Sequence, residues 1–229
     1  MKLAISAPDH TTVNRRAVGL ALRKAVHKGP LHVLIDSTGL VVFGAGPWLE
    51  AKHDAKSRRT WVELHLAVEA DGGMIVAQEF TDQHIDDPTQ VGPLLDQVEE
   101  EIGIVTADGA CDGTPIYQAI AQYGDNIEVV IPPRSTRVPS TGSSPQSQRD
   151  CHLDMITTQS RLAWQSAAGY GPIALVETPM RRYKTLIGPR LRARGFEAQR
   201  TEAAIGVQVL NQMLSTGHSN SVRCKRQTA

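Results

Sequence analysis

The sequence contains no run of ~18 apolar residues, so no segment is expected to span a membrane. The opening "MKLAISAP" has one lysine and too short an apolar core for a secretory leader. Cysteine is scarce. Cys111, Cys151 and Cys224 are odd in number, widely spaced and form no zinc pattern. That excludes a disulfide scaffold and fits a reducing, cytoplasmic setting. Net charge is also missing: 24 Lys and Arg balance 24 Asp and Glu, so the total does not point to a polyanionic partner. No internal repeat is visible.

What is present is a chain of 229 residues, 41% hydrophobic, long enough for one large domain or two small ones with a real core. Its charge is unevenly placed. From Arg181 to Arg200 there are seven Arg or Lys and one acid, Glu197. A second basic group contains Lys52, His53, Lys56, Arg58 and Arg59. Such patches read either as solvated faces or as a nucleic-acid footprint.

Periodicity orders the chain. Residues 9–27 read as a helix capped by Thr11 or Thr12. "LHVLID", 31–36, reads as a buried strand ending in an acid. "TWVELHLAVEAD", 60–71, alternates, with Val62, Leu64, Leu66 and Val68 on one face. Asp71-Gly72-Gly73 makes a hairpin turn into "MIVAQEF". Asp87-Pro88 then opens a helix as N-cap and N1, with Val91, Leu94, Leu95, Val98 and Ile102 at helical spacing. "GIVTADGACDG" is a strand ending in an acid; Thr114-Pro115 starts a helix running to Tyr123; "IEVVIPP" is a further strand. Residues 135–149 are Ser-, Thr- and Pro-rich, and a mobile loop is expected there. Helices follow at about 150–168, around Glu177, and at about 198–214, the last with Ala203, Ile205, Val207, Leu210 and Leu214 along one side. The expected fold class is α/β: a mixed sheet covered by helices, in the element order of the ribonuclease H-like fold.

Two strands end in acids, Asp36 and Asp108. If those strands are neighbours, the carboxylates face each other and a shared cation relieves their repulsion. Glu177, brought in from a helix, would complete a two-metal centre acting on a phosphodiester. Each acid also has a plain reading. Asp36 and Asp108 suit strand-ending turns, Asp112 suits a helix N-terminus, and Glu177 suits a solvated helix. His65 lies on the polar face of its strand, where packing and DNA contact both fit, and Trp61 reads as packing.

Five segments carry a resemblance: "PDHTTVNRRAVGLA", "GPLHVLIDSTGLVVFGAGPW", "RRTWVELHLAVEAD", "VGPLLDQ…VTADGACDG" and "ALVETPMRRYKTLIGPRLRARGFEAQRTEAAIGVQVLN". They resemble bacterial insertion-sequence transposases of the DDE class, in the insertion-sequence-five group. The resemblance implies a ribonuclease H-like fold and a two-metal Mg2+ site, with Mn2+ able to substitute. It implies DNA cleavage and strand transfer at terminal inverted repeats into target DNA, by a homodimer. Carried across, Asp36, Asp108 and Glu177 are the catalytic and metal-binding acids. The family signature Tyr-x2-Arg-x3-Glu-x6-Lys places Tyr170, Glu177 and Lys184 at the matching spacings. Tyr170, Arg181 and Lys184 are then expected to contact DNA, as are Lys56, Arg58 and Arg59, with Asp112 and His65 accessory.

The chain also departs from that pattern. Ile173 stands where the signature has Arg, and Pro172-Ile173 where a basic pair is usual. Cys111 replaces a frequent aromatic, and Val62-Glu63 a commonly basic place. Met1 falls inside what resembles the end of an N-terminal DNA-binding region. The expected division is therefore a helical remnant at 1–28, a catalytic domain at 29–215 and a basic tail at 216–229, a truncated copy with weakened DNA binding and strand transfer. Isoleucine cannot clamp a phosphate as arginine does.

A non-catalytic remnant that binds DNA or dimerises is a second reading. A third is a haloacid-dehalogenase-type phosphohydrolase, from "DSTG" at 36–39 and "ADGACD", with Asp36 as nucleophile. Pro179 complicates the region around Glu177. With Thr178 as N-cap and Pro179 at N1, Glu177 would sit just outside the helix.

Overall fold

The computed structural model describes Leu22 and residues 29–42, 61–134 and 147–217. The expected helix at 9–27, the basic group Lys56, Arg58 and Arg59, most of the 135–149 segment and nearly all of the C-terminal tail lie outside the described residues.

Six strands form one sheet: β1 (Leu31–Val42), β2 (Trp61–Glu69), β3 (Ile75–Asp82), β4 (Ile102–Ala107), β5 (Glu128–Val130) and β6 (Arg190–Leu191). The order is β3-β2-β1-β4-β5, with β6 also on β1. β1–β2 and β2–β3 are antiparallel; β1–β4, β4–β5 and β1–β6 are parallel. This is the ribonuclease H-like mixed sheet that the element order implied.

β1 does not end at Asp36. It runs on through Ser-Thr-Gly to Val42, because β2 pairs with it from Val33↔Glu69 to Val41↔Trp61. Partners on its other edge are split. β4 pairs only as far as Ile35↔Ala107, and β6 pairs at Val41 and Val42. Among the described residues, 36–40 have no strand partner on that edge, and a gap opens in the sheet beside Asp36.

Helices cover both faces. On one side α1 (Val91–Leu95) and α2 (Thr114–Ile120) pack over Val33, Ile35, Ala67, Val105 and Val129. On the other, Leu34, Leu40, Leu64, Leu66 and Phe80 meet the segment 171–187 and the long helix α6 (Phe196–Ser215). The strict alternation along β1 and β2 produces this two-sided core. Two helices that pack on each other, α3 (Gln148–Thr158) and α4 (Arg161–Ala167), follow β5. They replace the single helix expected at 150–168. Ser160 Oγ accepts from the Ala163 amide at 3.0 Å, starting a new helix instead of extending the old one. Among the described residues no helix is long and apolar enough to cross a membrane.

Three local expectations change. The 87–90 turn is 3-10, with Asp86 as N-cap and no side-chain cap bond, so Asp87 does not cap. Ile102 belongs to β4. In α6, Ala203, Val207 and Leu210 are buried but Ile205 faces outward. The buried stripe instead includes Gly206, where an added Cβ would come within 2.6 Å of the Tyr183 ring. Asn211, from the same helix, serves the edge strand β3. Its Oδ1 accepts from the Ile75 amide at 3.0 Å and its Nδ2 donates to the Ile75 carbonyl at 2.7 Å.

Two substitutions check this packing in thermal and urea melts. Asn211→Leu keeps the volume but orphans two buried backbone groups, so a loss of roughly 2–4 kcal/mol is expected. Gly206→Ala gains about 1 kcal/mol of helix propensity but presses on a fully buried ring. A net loss of about 1–2 kcal/mol is expected; an unchanged melt would show that α6 does not pack this closely.

Candidate active site

The register Ile35↔Ala107 puts the next residues, Asp36 and Asp108, side by side on adjacent parallel strands. Asp36 continues β1, while Asp108 leaves the sheet. Its Oδ1 accepts from the Ala110 amide at 2.8 Å and caps the 3-10 turn Gly109–Cys111. Gly109 lets the turn approach closely: a Cβ there would lie 3.2 Å from the Pro132 carbonyl oxygen and press on it. Asp36 Oδ1 accepts from the Ser37 amide at 2.8 Å.

Glu177 arrives from the opposite layer. A 3-10 helix, Gly171–Val176, passes into α5 (Glu177–Arg182) and then into a π turn, Tyr183–Ile187. The first of these packs against β1. Contrary to expectation, Thr178 is not an N-cap and Glu177 is not outside the helix. Glu177 has helical φ −64 and ψ −27 and opens α5, because the preceding residues are already helical. Pro179 falls within its first turn, where a missing N–H is tolerated.

Electrostatics tie the three acids together. The Asp36 carboxyl is pushed up to about 6, first by burial, then by the charges of Asp108, Asp87 and Glu177; the Ser37 amide opposes the shift. Burial, then Asp108, Asp87 and Asp36, push the Cys111 thiol up to about 12, so it stays protonated and is not a nucleophile. The Tyr170 hydroxyl is held above its usual value by burial and then by Asp108, with Asp36 contributing. Its ring lies 5.5 Å from that of fully buried Trp164. Tyr170 therefore lies within the field of Asp108 and Asp36.

Other residues separate. Arg181 and Lys184 are exposed on the 177–187 segment. Lys184 lies in the π turn, and its ammonium acts on Glu63 of β2, whose carboxyl is raised by burial and by Asp87. Ile173 faces inward and packs on the α6-side core. Asp112 is buried with Arg149, whose Nε donates to its Oδ1 at 2.7 Å, while its Oδ2 accepts from the Arg134 amide at 3.0 Å. It braces the site wall and does not start a helix. His65 is 1% exposed, with Nε2 2.7 Å from Thr81 Oγ1 and Nδ1 3.2 Å from Asp87 Oδ1. Packing, not DNA contact, accounts for His65, while Trp61, expected to pack, is 50% exposed.

Sequence reasoning missed Asp87 and Arg134. The 87–90 turn packs on the 109–111 turn, bringing Asp87 within the field of Asp36. Arg134 donates from Nε to the Gly109 carbonyl at 2.8 Å and from a terminal nitrogen to the Ala110 carbonyl at 2.7 Å, fixing the turn after Asp108. Asp87 read as a cap because proline followed it, and Arg134 carried no motif.

Residues 27–212 match the family described as the Transposase DDE domain. That is most of the chain. The chain belongs to the DDE transposase family. The fold agrees with a solved structure, the "piggyBac transposase synaptic complex with hairpin DNA", at TM-score 0.50 and 12% identity over 81% of this chain. This chain spans 47% of that one, so it corresponds to about half of that protein's length.

DDE transposases as a family use divalent metal. The carboxylates here fit such an ion in donor chemistry: all are hard oxygen donors, and Asp36 is part-buried beside like charges that a cation would offset. Among the described residues no three His, Cys, Asp or Glu side chains are grouped so that together they could hold a metal ion. The acids are electrostatic neighbours that a cation would draw inward.

The raised Asp36 carboxyl has a stability consequence. Its folded-state value, about 6, lies above the ordinary 3.8, so the folded protein binds the extra proton and stability falls as pH rises through about 4 to 6. Asp36→Asn removes that loss. The variant should match the parent in stability near pH 4 and exceed it by on the order of 2 kcal/mol at pH 7.5, after allowance for solvent screening. Urea melts without divalent metal, across that pH range, measure the difference.

Proposed function

We propose that this DDE transposase catalyses metal-dependent cleavage of DNA phosphodiesters and strand transfer at the ends of an insertion element. The observation that carries this reading is that Asp36 and Asp108 directly follow the last paired residues, Ile35 and Ala107, of adjacent parallel strands, with the charges of Asp108 and Glu177 both raising Asp36. Asp36, Asp108 and Glu177 would hold Mg2+, or Mn2+ in its place. When bound, the metal polarises the phosphate and supplies an activated water or hydroxyl as nucleophile. The protein's own groups do the positioning. Asp36, crowded by like charges, gains most from a cation. Tyr170, kept protonated beside Asp108, can donate its hydroxyl to a phosphate oxygen. Arg181 and Lys184, exposed on the segment that carries Glu177, meet the DNA backbone, and Lys56, Arg58 and Arg59 are assigned the same task. Asp112 and His65 hold the walls. The catalytic unit is 29–215, acting in the cytoplasm as a homodimer on inverted repeats and target DNA.

One observation favours a lesser activity. Ile173, at the signature arginine, packs inward and offers no phosphate clamp. The second reading is therefore a chain that binds DNA or dimerises without cleaving. The antiparallel pairing Asp36↔Leu66 excludes the phosphohydrolase reading, which needs Asp36 on a doubly wound parallel sheet.

The discriminating experiment follows cleavage of a labelled duplex carrying the element's ends, with Mg2+ or Mn2+, for the parent and Asp36→Asn. Cleavage should fall by roughly 100-fold or more in the variant while gel-shift binding persists. Absence of cleavage in the parent, with binding retained, would decide for the second reading.

A further inference from the structure

The segment after the π turn is basic and extended. Gly188, at φ 127, ends the helical run, and β6 follows. Its backbone is firmly held. Val41 N–H donates to the Pro189 carbonyl at 2.9 Å, and Arg190 and Leu191 pair with Val41 and Val42. Glu202 of α6 accepts from the Arg192 amide at 2.9 Å and the Ala193 amide at 2.8 Å. Gln199, 4% exposed, donates to the Ala193 carbonyl at 3.1 Å.

On this backbone, arginine recurs at every second position. Arg190, Arg192 and Arg194 are exposed, Leu191 is buried, and Ala193 is half-buried between them. All three arginines line one cleft of about 540 Å³. Among the described residues none of them forms a salt bridge. The nearby carboxylate, Glu202, is turned to backbone amides and, among the described residues, forms no salt bridge with the three guanidinium groups. Solvated surface cations usually stand on mobile stems over loosely held backbone. Here the backbone is fixed and the charge is left unanswered.

We propose that Arg190, Arg192 and Arg194 form a phosphate track that grips the DNA backbone at the far end of the sheet gap, away from the acids. Three features favour a nucleic-acid strand over an acidic protein. Arg190 lies in β6 and Arg192 follows it, and alternate residues of an extended chain lie about 6.5–7 Å apart, comparable to successive phosphates along one strand; Arg194 stands at the bend before α6 and lines the same cleft. Guanidinium groups suit phosphate oxygens bidentately. The track also has a defined position. β1 leads from Asp36 to Val41, the partner of Arg190, which is five residues on and so about 17 Å along the strand. At ~3.4 Å of rise per step, that is about five base pairs from the acids. The strip supplies phosphate contacts independent of position 173. The proposal rests on the DNA-cleaving reading above for its partner, not for its geometry.

The test is fluorescence anisotropy of a labelled 30-bp duplex of arbitrary sequence, with KCl varied from 50 to 200 mM. The parent is compared with R190Q/R192Q/R194Q and R190K/R192K/R194K, each first shown to melt like the parent. The glutamine variant should lose about three units from the slope of log K against log salt, at about 0.9 per contact. The lysine variant should keep the slope. Ethylation interference on a second duplex, carrying the element's end and nicked at its cleavage position, should place the lost contacts about five base pairs away. An unchanged slope in the glutamine variant would overturn the proposal, as would unchanged DNA binding with an altered dimer in sedimentation. Neither result touches the cleavage reading, which Asp36→Asn tests separately.

Discussion

β1 is longer than the strand beside it, and the site follows from that mismatch. Twelve residues of β1 are held by β2 along almost their whole length, but β4 supplies only six and stops at Ala107. Past that point β1 keeps one paired edge and one open edge. The first side chain in the gap is Asp36, and the first residue off the end of β4 is Asp108. The two carboxylates become electrostatic neighbours because the shorter strand ends one residue before its neighbour's acid. A register slip of one residue would turn Asp36 to the other face and dismantle the pair.

Such an arrangement is costly without a cation, and the surrounding structure sustains it. The turn after Asp108 is fixed by its own cap, by the tight approach of Gly109 to Pro132 and by Arg134 on two carbonyls. Behind it, buried Arg149 neutralises buried Asp112 and ties α3 to the same loop. That pair contributes little net stability compared with an apolar one, but loss of either partner would strand a buried charge. On the other side, Asn211 and the close fit of Gly206 on Tyr183 anchor α6, and with it the helical segment that delivers Glu177.

Much of the sheet was legible in the sequence. The alternation of Val62, Leu64, Leu66 and Val68 and the turn at Asp71-Gly72-Gly73 identify β2 and β3 directly. The acids at 36 and 108 stand out because each ends an apolar run. Within β1, Asp-Ser-Thr-Gly is turn chemistry, and pairing with β2 overrides it. The geometry of Glu177 was misread for a similar reason: Pro179 suggests a helix start unless the chain before it is already helical. The π turn that carries Lys184 toward Glu63 has no local signature. Asp87 joined the acids through a contact between two short turns, which no periodicity encodes.

The proposed chemistry depends on Asp36, Asp108 and Glu177 closing on metal. Anomalous diffraction from a crystal grown with Mn2+ measures this directly. The account predicts a peak bridging the carboxyl groups of Asp36 and Asp108, with Glu177 turned toward it. Mn2+ bound elsewhere, or Asp36 and Asp108 left apart at saturating metal, would contradict it.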